Sequence, residues 1–186
     1  MPVRKVRITI TDKDKGFKAL VRMLDKLANN KLQVKAGLLG KSRQFAPSGP
    51  GVPDVVMLGA IHEFGVAKGS VPGRPWMQIP SRPWIRNSWD RNAAKTQQLL
   101  RKAIGKCYDG KLTPYDALNL VGFSMVADIN RYVRGPNDLR PLAESTKAAK
   151  LRHRRGKGPK ASRAMPKALI DTARMLNAVT HEVTKR

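Results

Sequence analysis

Between Thr113 and Gly135 the apolar residues Leu118, Val121, Met125, Val126, Ile129 and Val133 recur every three or four positions. That spacing lines them on one side of an α-helix. The ends carry matching signals. The Thr113 hydroxyl can accept from a free amide of the first turn, Pro114 suits the first helical position, and Gly135 can stop the helix. A long helix with one apolar stripe has to be covered on that side. Any fold of this chain is therefore built around this segment and whatever covers it.

Several segments are candidates for the cover. A second long helix is predicted from about Trp84 to Lys106, with Trp84 and Ile85 stapling its start into the core. Asp54 can cap a shorter one over Val55 to Glu63, and Gly65 suits a left-handed stop. LIDTARMLNAV reads as a short helix capped by Asp171 or Thr172. At the N-terminus, the alternation of Val6, Ile8 and Ile10 with Arg7 and Thr9 is a half-buried strand signal. A turn, TDKDKG, follows. Phe17, Leu20, Val21, Leu24 and Leu27 then recur at helical spacing up to Asn29. Leu32, Val34 and Leu38 suggest a further strand, and Thr180 to Thr184 a last one. The expected architecture is a single α+β domain over residues 1–186: a small mixed or antiparallel sheet packed with three to five helices. Extended loops are expected at about 41–53 and 65–83, where Pro and Gly accumulate and each residue before a Pro is pushed from helical angles.

Length and charge bound the rest. The chain has 186 residues, and one domain commonly takes roughly 100–200. It carries 37 Lys and Arg against 13 Asp and Glu, a net charge of +24. Such a surface attracts polyanions: nucleic acid, an acidic membrane surface or an acidic protein. Part of the charge sits in LRHRRGKGPKASR, where Arg152, Arg154, Arg155, Lys157, Lys160 and Arg163 lie among Gly156, Gly158 and Pro159. This stretch reads as a mobile basic loop, about residues 150–166, facing either a polyanion or an acidic neighbour in an assembly. Cys107 is the single cysteine, so neither an internal disulfide nor a CxxC zinc site can form; it reads as a small buried residue. No apolar run reaches the roughly 18 residues of a membrane span, and MPVRKVRITI has no apolar leader core. The expectation is a soluble protein of a reducing cytoplasm.

Three motifs imitate chemistry without completing it. GLLGKS (Gly37 to Ser42) ends like a phosphate-binding loop, but Lys35 stands where that loop needs its first Gly. DKDKG (Asp12 to Gly16) opens like a calcium loop, but Phe17 occupies the obligatory Gly position and Met23 that of the closing Glu. His62-Glu63 opens like a zinc-protease helix, but the second His would be Val66. His153 and His181 lie elsewhere in the chain, and no Ser sits in a nucleophile elbow. No catalytic residue, metal or cofactor is expected. Trp76, Trp84 and Trp89 crowd beside Arg74, Arg82 and Arg86. Core packing, a protein interface and stacking on nucleic-acid bases all fit that cluster.

Two stretches together resemble a known family. AIHEFG (Ala60 to Gly65) is followed by a short loop and two RPW triplets, of which Arg82-Pro83-Trp84 is favoured because a long helix follows it. PLAESTKAAKLR (Pro141 to Arg152) is followed after a basic gap by KALIDTARMLNAVTHEV (Lys167 to Val183). This order is similar to that of the tail-completion and head–tail joining proteins of tailed bacteriophages, also called virion morphogenesis or tail-component proteins. Ala173 stands where that family prefers Gly.

The resemblance covers roughly residues 55–186. It implies a non-enzymatic neck or tail ring subunit, hexameric or otherwise closed, in the virion after assembly in the host cytoplasm. Its partners would be copies of itself, neighbouring connector or tail proteins and the genomic DNA, with no membrane. His62, Glu63, Phe64, Gly65, Arg82, Pro83, Trp84, Leu142, Ser145, Thr146, Leu169, Ile170, Asp171 and Thr172 would form the fold or its interfaces. The alternative read from charge alone is a non-specific nucleic-acid-binding protein.

Overall fold

The structure, a computed structural model, describes residues 18, 21–22, 25, 31–39, 54–70, 73, 75–155, 168–169 and 174–185, with 153–155 by backbone alone. In chain order these give strand β1 (Leu32–Gly37), helices α1 (Val55–Phe64), α2 (Trp84–Tyr108), α3 (Pro114–Arg134), α4 (Glu144–Arg155) and α5 (Arg174–Asn177), and strand β2 (Thr180–Lys185). Lys18, Val21, Arg22 and Asp25 are also helical. The fold is α+β: β1 and β2 pair antiparallel, Leu32 opposite Lys185 through Gly37 opposite Thr180. The strand expected near Val3 to Ile10 and the capping role of Asp171 and Thr172 lie outside the described residues.

The two long helices form an antiparallel hairpin, as a short connection dictates. Thr113 caps α3, its hydroxyl accepting from the Asp116 amide at 3.1 Å, and Pro114 opens the helix. At the other end the Asn137 side chain donates to the carbonyls of Tyr132 (3.1 Å) and Val133 (3.2 Å). These are acceptors a helix end otherwise leaves unpaired. Of the α3 stripe, Val121, Ile129 and Val133 are fully buried, while Leu118, Met125 and Val126 are half-buried. Asp128 shares the buried side. Lys95 of α2 meets its carboxylate at 2.6 Å and Arg131 at 2.7 Å, so the charge is paired rather than stranded.

The two strands lie on α3. Gly122 permits this, because a Cβ there would collide with the His181 ring. The ring sits edge-on to Phe123 at 4.3 Å, and its Nε2 lies 3.2 Å from the Asn119 side-chain oxygen. The main core gathers Val55, Trp84, Ile129, Tyr132, Val133, Leu139, Met175, Leu176 and Val179. A smaller cluster of Ala103, Cys107 and Ala117 closes the hairpin tip, with Cys107 wholly buried. Burial, and then Asp116, push the thiol's pKa up.

Two expectations are corrected. The basic segment does not begin as a loop: α4 runs to Arg155. Lys147, Ala148, Ala149, Lys150, Leu151 and Arg152 are all good helix formers, and the breakers start only at Gly156. Gly65 does stop α1, its amide donating to Ile61 at 2.8 Å, but not in left-handed helical geometry. Its φ of 78° is paired with a ψ of 179°. The reason is the next segment, since the chain must leave extended to form the Val66–Ile79 bridge. A Cβ on Gly65 would meet the Ser81 nitrogen at 2.7 Å and the Ile79 oxygen at 2.8 Å. Gly65→Ala is expected to destabilise the chain by about 2 kcal/mol, the order of forcing a side chain into such backbone. Denaturant unfolding checks this, with the midpoint falling.

Candidate functional site

The residues of AIHEFG and of the second RPW triplet meet where α1 ends and α2 begins. Helix α2 starts at Trp84 with Pro83 before it, and Pro83 offers no side-chain cap. Glu63, at the last turn of α1, supplies the cap from outside. Its carboxylate accepts from the amides of Ile85 at 3.0 Å and Arg86 at 3.2 Å. A negative charge is favoured at that end of a 25-residue helix by the helix dipole. The Arg82 amide in turn donates to the His62 carbonyl at 2.7 Å.

Arg82 carries the connection further. Its side chain is only 6 % exposed. Nε donates to the Arg140 carbonyl at 2.9 Å and a terminal nitrogen to that of Pro141 at 3.3 Å. The guanidinium thus ties the start of α2 to the segment that opens PLAEST. Trp84 follows with no exposed surface, packed in the main core. The two RPW triplets therefore differ: Trp84 is core, whereas Trp76 is 71 % exposed.

A cleft of about 720 Å³ opens beside this junction. His62, Ile79 and Arg82 form one side, Arg140, Leu142, Thr146 and Lys150 another, and Leu169, Arg174 and Met175 close it. Leu142 and Leu169 are half-buried there, Ser145 and Thr146 are exposed, and Leu169 adopts a left-handed φ of 63°. No carboxylate-bearing residue lines the cleft among the described residues. Burial lowers the pKa of His62 below its usual 6.5, with Arg82 and then Lys150 adding to the effect. Burial and then Arg140 lower that of Arg82. The His62 Nδ1 is buried with no hydrogen-bond partner among the described residues.

A lowered histidine pKa sets a sign for stability. Below about pH 6.5 the unfolded chain takes up a proton at this histidine that the folded chain resists, so folding weakens as pH falls from there toward the lowered native value. The unfolding midpoint is expected to drop between pH 7.5 and 5.5. His62→Gln, which removes the titration, is expected to drop less over the same range. Equal slopes in the two proteins would contradict the assignment.

The exposed aromatics lie apart from the cleft's lining. Phe64 is 68 % exposed with the Arg86 guanidinium 5.8 Å from its ring centre, and Trp89 is half-exposed on α2. Met57 and Phe123 are exposed as well.

Of the basic segment, Arg152 is exposed on α4. Arg154 and Arg155 are helical by backbone, and Lys157, Lys160 and Arg163 lie outside the described residues, as do Ile170, Asp171 and Thr172. Sequence reasoning missed Arg140, Lys150 and Arg174 as cleft residues. They come from three separate segments, and only the tertiary fold brings them together. It also missed Glu63 as a cap, because the helix it caps begins 21 positions later, far beyond the local capping patterns.

Among the described residues no group of three or more His, Cys, Asp or Glu could hold a metal ion, and no helix is long and apolar enough to cross a membrane. No family model, curated protein or solved structure matches the chain.

Proposed function

We propose that the chain is a non-enzymatic structural subunit of a tailed-bacteriophage particle, a tail-completion or head–tail joining protein that works in a closed ring. One observation carries this reading. The stretches whose order resembles that family are joined through Arg82, which bonds to Arg140 and Pro141, 58 and 59 positions away, while Glu63 locks AIHEFG onto the RPW helix. Residues that fix one another's positions in this way have a reason to occur together in a fixed order. The exposed Phe64, Trp76 and Trp89 suit contacts between subunits, since aromatic residues anchor protein interfaces. The positive surface would steer the subunit to an acidic neighbour in the stack or line the path of the genome. Mass spectrometry of purified particles tests the reading. The chain is expected at a copy number of one ring per particle, and its absence from infectious particles would count against it.

A second reading rests on the charge of +24. A non-specific nucleic-acid-binding protein of this charge would bind duplex DNA with an affinity that falls steeply with salt. Tight binding by the isolated chain that is lost at moderate salt favours this reading, and weak binding at all salt concentrations favours the first.

A further inference from the structure

We propose that the cleft between α1, the segment from Gln78 to Arg82 and the start of α4 binds an extended, acidic peptide segment of a partner protein. The inference goes beyond the virion reading and does not rest on it.

Four observations converge. The cleft's volume of about 720 Å³ lies within the size class of ligand sites, roughly 300–1,000 Å³. Arg82, Arg140, Lys150 and Arg174 line it with no carboxylate among the described residues. Cations held together on partly apolar walls favour an anion that can enter beside them. Arg140 is the clearest receiver: its carbonyl is engaged by Arg82, while its exposed guanidinium makes no hydrogen bond or ion pair among the described residues.

The third observation is a free backbone edge. Val66 and Ile79 exchange both amide bonds, at 2.8 and 3.0 Å. In an antiparallel pair the next residues point their backbone groups the other way. Gln78 N–H and C=O and the Pro80 carbonyl therefore face away from Val66, and Gln78 makes no hydrogen bond among the described residues. An added strand would pair with this edge. Fourth, Leu58, Ile79, Leu142 and Met175 give apolar contacts for side chains alternating with the acids.

The occupant follows from charge. A second copy of this chain would bring a further net charge of +24 to a cationic cleft. A nucleic-acid strand could place phosphates near the arginines but would leave the amide edge and the apolar wall unused. An acidic peptide uses all three.

The test selects random octapeptides against the immobilised full chain and remeasures the enriched sequences by fluorescence anisotropy. Enriched peptides are expected to carry Asp or Glu beside Val, Ile or Leu. Arg140→Glu, which keeps the carbonyl Arg82 needs, is expected to weaken them roughly tenfold or more, as loss of a desolvated charge pair does. Lys102→Glu, the same charge change on the exposed side of α2, is expected to leave binding within about twofold if the effect is local. N-methylating alternate peptide amides should abolish binding in the register that blocks the edge. The proposal is overturned by enrichment without acidic residues, by equal losses from Arg140→Glu and Lys102→Glu, or by binding indifferent to N-methylation. Displacement by a twenty-nucleotide single strand whose own binding falls as much with Arg140→Glu would reassign the cleft to phosphate.

Discussion

Replacing Trp84 with alanine is expected to destabilise the chain by about 4 kcal/mol, the order of emptying a packed aromatic site in a core. Trp84 has no exposed surface and sits among Val55, Val133 and Leu176 at the first turn of α2. Its removal would leave a cavity where α1, α2 and α3 meet, and would free the start of the helix that Glu63 caps. Small domains have only about 5–15 kcal/mol in total, so the variant should unfold at markedly lower denaturant. Trp84→Phe is expected to cost less, by more than its volume alone suggests. The indole Nε1 is buried with no hydrogen-bond partner among the described residues, and phenylalanine removes that donor. A loss for Trp84→Phe as large as that for Trp84→Ala would contradict this account.

Glu63→Ala is expected to cost about 3 kcal/mol, because hydrogen bonds to a charged acceptor contribute more than neutral ones and the Ile85 and Arg86 amides would lose theirs together. Glu63 is 8 % exposed, so water cannot easily take its place. Glu63→Gln keeps one acceptor at the same reach and gives up the charge that the helix end favours. It should fall roughly midway. Both variants are read by denaturant unfolding, with helix content followed by circular dichroism. A loss of less than about 1 kcal/mol for Glu63→Ala would be an ordinary surface cap, and would contradict the view that AIHEFG exists to hold the RPW helix.

The Trp84 anchor was legible in the sequence, whereas the Glu63 cap was not, and the difference lies in the range of the interactions. Thr113, Pro114 and Gly135 bound α3 through interactions within a turn of the helix ends, and Asp54 caps α1 through the Met57 amide at 2.6 Å. Local rules suffice for such features, and both helices fall where the spacing places them. The strands β1 and β2 were visible as patterns, but their pairing joins residues about 150 positions apart, and nothing in either strand names its partner. Charge misleads at α4, where a basic run reads as loop although its residues favour helix up to Gly156. The cleft was invisible for a similar reason to the pairing. Arg82 stood out through its triplet, whereas Arg140, Lys150 and Arg174 become neighbours only after folding.

Electron microscopy of lysates from a phage in which this gene is disrupted, complemented in trans as a control, tests the central claim most directly. The account predicts filled heads beside separate, unjoined tails, with joined particles restored by complementation. Normal joined particles without the protein would contradict it, and would leave nucleic-acid binding as the better account of the charge.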